Sequence, residues 1–378
     1  MNEIILLGAG ASVEAGIPDA YKMTEVIIDY LYDYRFTKNK KHAHIALFIV
    51  GGLLFQKGVI GQNPLKAGVN IEDFINAIHL LSERNTLEIS PFVGSWHSVV
   101  EDFDRVYKID QGRNRFIDTL INSLTRSRRP DPSKLTREFE KALNQTKSMP
   151  GGGSIFKELK TVIIEILKTI TWIKSPERIA YLNPIINKAI NEKRLVVATL
   201  NYDNSIEYLA QNEGVIYNLG IDNWAKTGLI DIQKDCLHLL KLHGSMDWYM
   251  GFPAEPEYLS PPIRRLKQPL GDSFSPAIIF GQRNKLTAEG PFLDLLIAFR
   301  EELRKANKLI IIGYSFRDDH INTYILNWLS NSNGNCLKII DPGFNKNDTI
   351  ISKTIKNYLT SDRLQVIDRP ASEGLIDL

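Results

Sequence analysis

Thr199-Leu200-Asn201-Tyr202-Asp203 and Leu242-His243-Gly244-Ser245 hold the side chains best suited to chemistry on a hydroxyl-bearing ligand. Asn201 and Asp203 stand two residues apart, so an extended backbone turns both toward one cleft. His243 closes an apolar run, and an imidazole that titrates near working pH can polarise or deprotonate a ribose hydroxyl. Plainer roles compete. Asp203 is also placed to cap a helix beginning at Asn204, and a lone histidine behind a strand is commonly a satisfied structural group. The case for His243 rests on its company.

That company lies behind other apolar runs. Ile4–Leu7 leads into Gly8-Ala9-Gly10-Ala11-Ser12 and then Gly16-Ile17-Pro18-Asp19. Gly8 and Gly10 can adopt backbone angles closed to other residues and let phosphates approach the chain. Ser12 stands where a helix N-cap would leave free N–H groups facing an anion. A dinucleotide pyrophosphate suits such a strand–turn–helix. Plain packing suits it too, because the spacing is not Gly-x-Gly-x-x-Gly. Gly313-Tyr314-Ser315-Phe316 follows the most apolar run, with Ser315 a donor for phosphate or ribose and Asp318 or Asp319 a helix cap. Arg317, Asp318 and His320 read equally well as surface charges. Asp341 ends the next run, where an acid suits adenosine ribose hydroxyls or a simple turn.

To converge, these segments need one scaffold. From Arg194 the chain alternates strands (Leu195–Thr199, Val215–Asn218, His238–Leu242, Ala277–Phe280, Leu309–Ile312, Leu337–Ile340, Leu364–Ile367) with helices (Asn204–Asn212, Pro291–Asn307, Asp319–Leu329, Asn347–Leu359). This predicts an α/β fold, a doubly wound and mostly parallel Rossmann-like sheet whose ligands sit beyond the carboxyl ends of the strands. The opening strand, followed by a helix over Ala20–Tyr34, must join that sheet. Between them Ile71–Arg84, Val93–Val106, Phe116–Thr125, Lys134–Gln145 and Ser154–Lys174 have helical spacing, and 149–154 is a Pro-Gly breaker. A further helix spans Asn183–Glu192. The nucleotide-binding domain is therefore expected to be split, residues 1–35 with 183–378, around a large helical insertion at 36–182.

The totals exclude some classes. With 378 residues, 43% of them hydrophobic, and a net charge of +2, no global field draws the chain onto nucleic acid. The basic runs Lys38–Lys41 and Arg126–Lys134 read as solvated faces, so direct nucleic-acid binding is left open. Two cysteines, Cys236 and Cys336, build neither a disulfide framework nor a four-cysteine zinc site, and no metal is expected. Cys336 is expected in the core. The chain enters its first strand at once and shows no apolar run of membrane-spanning length, so a cytoplasmic location is expected.

Together these segments resemble the sirtuin family. Gly8–Ser12 with Gly16-Ile17-Pro18-Asp19 resembles its opening motif, Thr199-x-Asn201-x-Asp203 its Thr-Gln-Asn-Ile-Asp segment, His243-Gly244-Ser245 its His-Gly, and Gly313-x-Ser315 its Gly-Thr-Ser loop. Motif order agrees across the nucleotide fold, and the helical region is not covered. The absence of a four-cysteine zinc module, and Ala20-Tyr21 in place of Phe-Arg, weigh against protein deacylation. The insertion and Gly313–Asp318 are instead similar to sirtuin-like proteins of bacterial anti-phage defence, and the length to the subunit that assembles with a HerA-type hexameric ATPase.

The resemblance implies an NAD glycohydrolase that releases nicotinamide and ADP-ribose and depletes NAD, in an oligomer with an ATPase/helicase partner. It implies Asn201 orienting ribose or water, Asp203 engaging the nicotinamide amide and His243 as general base. It also implies an NAD cradle from Gly8, Ala9, Gly10, Ala11, Ser12, Asp19, Thr199, Gly313 and Ser315, to which the strand-end reading adds Asp341. The alternatives are a non-catalytic NAD or ADP-ribose sensor and an NAD-dependent deacylase, with a hydride-transfer dehydrogenase behind them.

Overall fold

A computed structural model describes residues 2–33, 40–63, 68–93, 96–107, 154–232, 235–251, 260–267, 275–279, 290–346, 349–376 and 378. β1 (Glu3–Leu7), β2 (Leu195–Thr199), β3 (Tyr217–Asn218), β4 (Leu237–Lys241), β7 (Lys308–Ile312), β8 (Cys336–Ile340) and β9 (Leu364–Ile367) form one sheet in the order β3-β4-β2-β1-β7-β8-β9. Every pair is parallel. β5 (Trp248–Met250) and β6 (Ile263–Arg265) make a separate antiparallel pair. The central strands are continuous apolar runs because helices cover both faces, and β2 is buried along its whole length.

β1 is the hinge of the topology. The chain first builds outward from β1 through β2 to β4, then returns to β7 on its other flank and continues to β9. Such a reversal opens a crevice at the carboxyl ends of the two innermost strands. Here the turn after β1 and the turn after β7 lock together. Gly8 N–H donates to Ile312 O at 2.9 Å and Gly10 N–H to Gly313 O at 2.8 Å. A Cβ on Gly8 would lie 2.6 Å from Gly313 O, and one on Gly313 (φ +60°) 2.2 Å from Ala11 N. The absent side chains of Gly8 and Gly10 thus make room for the neighbouring backbone.

The helices between β1 and β2 share one apolar core with the sheet. Ala20–Tyr32, Ile71–Glu83 and Ile155–Thr171 each bury one stripe and begin at a side-chain cap, from Asp19, Asn70 and Ser154. Residues 98–107 are helical as far as they are described. The expected helices Phe116–Thr125 and Lys134–Gln145, the basic run Arg126–Lys134 and the breaker through Gly153 lie outside the described residues.

Some expectations fail for identifiable reasons. Lys41–Val59 is a helix the periodicity does not reveal, because apolar residues surround it: Ile45 and Ile49 are buried while Phe55 and Val59 face solvent. By length and composition it is long and apolar enough to cross a membrane, against the expectation of no such run. Ala277–Phe280 is no strand of the sheet among the described residues; only a bridge between Gly244 and Ile278 forms. Cys336, expected in the core, is half-exposed at the start of β8, and Cys236 is the buried cysteine.

Beneath the β2 turn lies a buried ion pair. Lys241 Nζ, at the end of β4, stands 2.8 Å from Glu207 Oε1 and also donates to the Asp203 carbonyl. Burial pushes the Glu207 carboxyl above its ordinary range, and Lys241 pulls it back. Lys241→Met should leave that carboxylate stranded and cost about 3–5 kcal/mol, most of it recovered when Glu207→Leu is added. A carboxyl raised from 4.5 binds more protons folded than unfolded, so this loss should shrink as pH falls toward that value and grow above it. Denaturant titration at two pH values checks both. The interlocked turns make a second prediction. Gly313→Ala should destabilise by roughly 2–3 kcal/mol or more. Gly214→Ala (φ +67°, nothing within 4 Å) isolates the backbone strain alone, at about 1–2 kcal/mol. Equal losses for the two variants would refute the interlock.

Candidate functional site

The segment leaving β2 is drawn toward the β1 turn by its own polar atoms. Asn201 N–H donates to Thr199 Oγ1 at 3.1 Å, and Asn201 Nδ2 donates to Gly8 O at 2.9 Å and Ser12 Oγ at 3.0 Å. Ser12 Oγ donates in turn to Asp203 Oδ2 at 2.7 Å. Ser12, Asn201 and Asp203 therefore form one hydrogen-bonded chain at the switch point.

Ser12 is not the helix cap its position suggests. Ala9–Ser12 is a single tight turn, and the helix starts only at Ala20, where exposed Asp19 accepts from the N–H groups of Tyr21 and Lys22. The helix terminus expected to face an anion is thus already occupied by a carboxylate of the chain. Asp203 divides its carboxylate, Oδ1 accepting from Ser205 N–H at 3.0 Å at the head of the next helix and Oδ2 accepting from Ser12 Oγ. Its helix runs Ser205–Asn212, one residue later than expected.

His243 follows β4 in a sharp turn that only glycine permits, because Gly244 has φ +81° and a Cβ there would lie 2.1 Å from Ala277 O. Its Nε2 lies 3.1 Å from Asp318 Oδ2, and both residues are buried. Asp318, read from sequence as a surface charge or a cap, is the cap of Asp319–Asn331, its Oδ1 accepting from His320 N–H at 3.1 Å. Tyr314 packs behind it, with Oη accepting from Asp318 N–H at 3.1 Å and donating to Asn322 Oδ1 at 2.9 Å. Burial and the Asp318 charge push the Tyr314 phenol well above its ordinary range.

Ala9, Ser12, Asn201, Asp203, His243 and Ser315 line one cleft. Gly8, Gly10, Ala11, Thr199 and Gly313 shape it from behind through backbone contacts and do not line it. Asp19 and Asp341 do not line it either. Asp341 closes its own turn, its carboxylate accepting from Gly343 N–H, and burial raises its carboxyl. The sequence reading missed the opposite wall. Asn70, Ile71 and Glu72 reach the cleft from the first turn of the Ile71–Glu83 helix, and Arg317 from the β7 side, with its guanidinium 4.6 Å from the Tyr21 ring. Nothing in the spacing of Asn70–Glu72 signals this, since the tertiary fold alone brings that helix over the switch point.

The cleft carries Glu72, Asp203 and Asp318 against Arg317, a surplus of carboxylate suited to a cationic group. A larger hollow of about 1070 Å³, against about 130 Å³ for the cleft, lies beyond Asp203 and Glu207, between the Ile155–Thr171 helix and Arg265. None of the motif residues from the β1, β4 and β7 turns faces it, so the cleft is the chemical candidate. Among the described residues no group of three or more His, Cys, Asp or Glu is arranged to hold a metal ion.

Comparison with known proteins bears on this arrangement. No curated protein matches the chain. Among solved structures, Sir2Tm bound to a propionylated peptide is similar at 13% identity and a TM-score of 0.36, over 99% of this chain and 90% of that one. A substituted Sir2 homologue complexed with 2′-O-acetyl ADP ribose shares 12% identity at a TM-score of 0.39, over 99% and 88%. A Sir2–p53 peptide–NAD+ structure shares 12% at 0.32, over 99% and 90%. The family match is more local and takes in Asn201, Asp203, His243, Gly313, Ser315 and Asp341: residues 195–349 match the SIR2-like domain.

Proposed function

We propose that the protein is an NAD glycohydrolase, cleaving NAD between nicotinamide and ribose to leave ADP-ribose. The observation that carries this reading is the convergence of Asn201, Asp203 and His243, from two different strand ends, on one carboxylate-rich cleft at the switch point. The SIR2-like match over 195–349 supports NAD as the ligand.

Breaking the bond leaves positive charge on the ribose, and fixed carboxylates stabilise such charge most where water is excluded. Buried Asp203 meets this condition. In this reading it engages the departing nicotinamide, which takes the bonding pair and leaves neutral. Asn201, oriented by its bonds to Gly8 O and Ser12 Oγ, holds the ribose or the incoming water. His243 accepts a proton from a ribose hydroxyl. Water completes the reaction: its oxygen bonds to the anomeric carbon, one of its protons restores the ribose hydroxyl, and His243 releases the proton it took to solvent. Exposed Ser315 and Arg317 are the nearby donors for phosphate. Gly8, Gly10, Ala11, Thr199 and Gly313 support the cradle from behind.

An activity that destroys NAD needs a gate. We assign that gate to assembly, as an NAD-depleting effector of anti-phage defence that works in the cytoplasm as an oligomer with a HerA-type ATPase partner. The exposed apolar residues Phe55, Val59 and Ile60 at the end of the Lys41–Val59 helix support an interface on the helical side.

Incubation of the purified protein with NAD, with and without an ATPase partner, followed by chromatography, tests the reading. Nicotinamide and ADP-ribose should appear. His243→Ala should lower the rate by about 10²–10⁴-fold without altering the circular dichroism spectrum. Asn201→Ala should abolish turnover as well, with some loss of stability from its bonds to the β1 turn. Intact NAD in every mixture, with tight binding, would replace the hydrolase by a sensor.

A further inference from the structure

Among the described residues, the His243 ring hydrogen-bonds through one nitrogen. Nε2 lies 3.1 Å from Asp318 Oδ2, while Nδ1 makes no hydrogen bond to a described residue and the ring lines the cleft. An ionised carboxylate only accepts, so the hydrogen between Asp318 and the neutral imidazole belongs to Nε2. The lone pair then sits on Nδ1.

The orientation of the Asp318 carboxylate is fixed from several sides. Its Oδ1 is committed to the helix that follows, accepting from His320 N–H at 3.1 Å and Ile321 N–H at 3.4 Å. Its own N–H is held by Tyr314 Oη at 3.1 Å, and Asn322, which accepts from that hydroxyl, donates to Phe316 O at 3.0 Å. Phe316 sits at φ +56°, a conformation a bulky residue adopts only where its surroundings over-determine it. Capping thus leaves only Oδ2 to face the histidine.

We propose that Asp318 is a positioning residue that holds His243 in the Nε2–H tautomer, so that Nδ1 is the nitrogen that takes the proton from the ribose hydroxyl. This deepens the NAD-cleaving reading and rests on it. One substitution separates it from a merely structural role. In Asp318→Asn the cap still needs an acceptor, so the carboxamide oxygen stays toward His320 and Ile321, and the NH₂ takes the place of Oδ2. That NH₂ donates to Nε2 and drives the proton to Nδ1. Asparagine caps a helix as well as aspartate does, so the fold persists.

The experiment uses the full chain labelled with ¹⁵N-histidine, in which His243→Gln identifies the signal among the seven histidines. The ¹⁵N shifts should report Nε2–H in the wild type and Nδ1–H in Asp318→Asn. In the same variant kcat should fall by about 10²–10⁴-fold, as the wrong tautomer does in a catalytic triad, with KM little changed. Asp318→Ser, which caps but leaves Nε2 without a carboxylate, should fall between. A wild-type Nδ1–H signal, or Asp318→Asn turning over at the wild-type rate, overturns the proposal. If the wild type leaves NAD intact, the NAD-cleaving reading fails instead, and the tautomer alone decides whether Asp318 positions His243.

Discussion

The contact on which the rest depends is backbone against backbone, where the turn after β1 meets the turn after β7. Two inner strands of a parallel sheet lie close enough that their exits compete for the same space. Gly8, Gly10 and Gly313 resolve that competition by having no side chains, and the N–H groups of Gly8 and Gly10 are satisfied by Ile312 O and Gly313 O. With the floor fixed, Gly8 O becomes an acceptor for Asn201, and Asn201 draws in Ser12 and Asp203.

Around that floor the protein places its charges with their partners. Lys241 reaches Glu207 and the carbonyl of Asp203 from below, so the segment that carries Asp203 is held by a side chain no ligand need touch. Asp318 divides its oxygens between a helix terminus and a histidine. Buried polar groups are expensive unless satisfied, and their arrangement is correspondingly unique. Rigidity at the switch point thus comes from polar groups with two duties each.

Much of this was legible in the chain. The strands Leu195–Thr199 and Leu364–Ile367 and the helix Asn183–Glu192 match their expected bounds, because continuous apolar runs and amphipathic stripes encode local burial directly. The strand ends at Asn201, His243 and Ser315 were also readable, since a doubly wound sheet directs them to one edge. What could not be read depends on contacts distant in sequence. That Gly8 serves Gly313, that Asp318 serves His243, and that Asn70–Glu72 roof the cleft follow from tertiary packing. The three-residue strands β5 and β6 are too short to carry a periodic signal, and Lys41–Val59 hides its helix by being apolar on every side. Ser12 misled because serine before a helix suggests a cap, whereas the turn keeps it three-dimensionally beside Asp203.

The central place of β1 carries a kinetic consequence. Glu3 pairs with Lys308 across 305 residues, and Ser12 waits for Asp203 across 191. At a synthesis rate of about 5–20 residues per second, the middle strand emerges on the order of tens of seconds before its second neighbour exists. Ile4–Leu7 is then an unpaired apolar edge during translation, and the sheet cannot zip from its own centre outward. Closure from distant partners makes this a slow, high-contact-order nucleus. Chaperone demand during biogenesis should accordingly concentrate on the first strand rather than on the later strand–helix repeats.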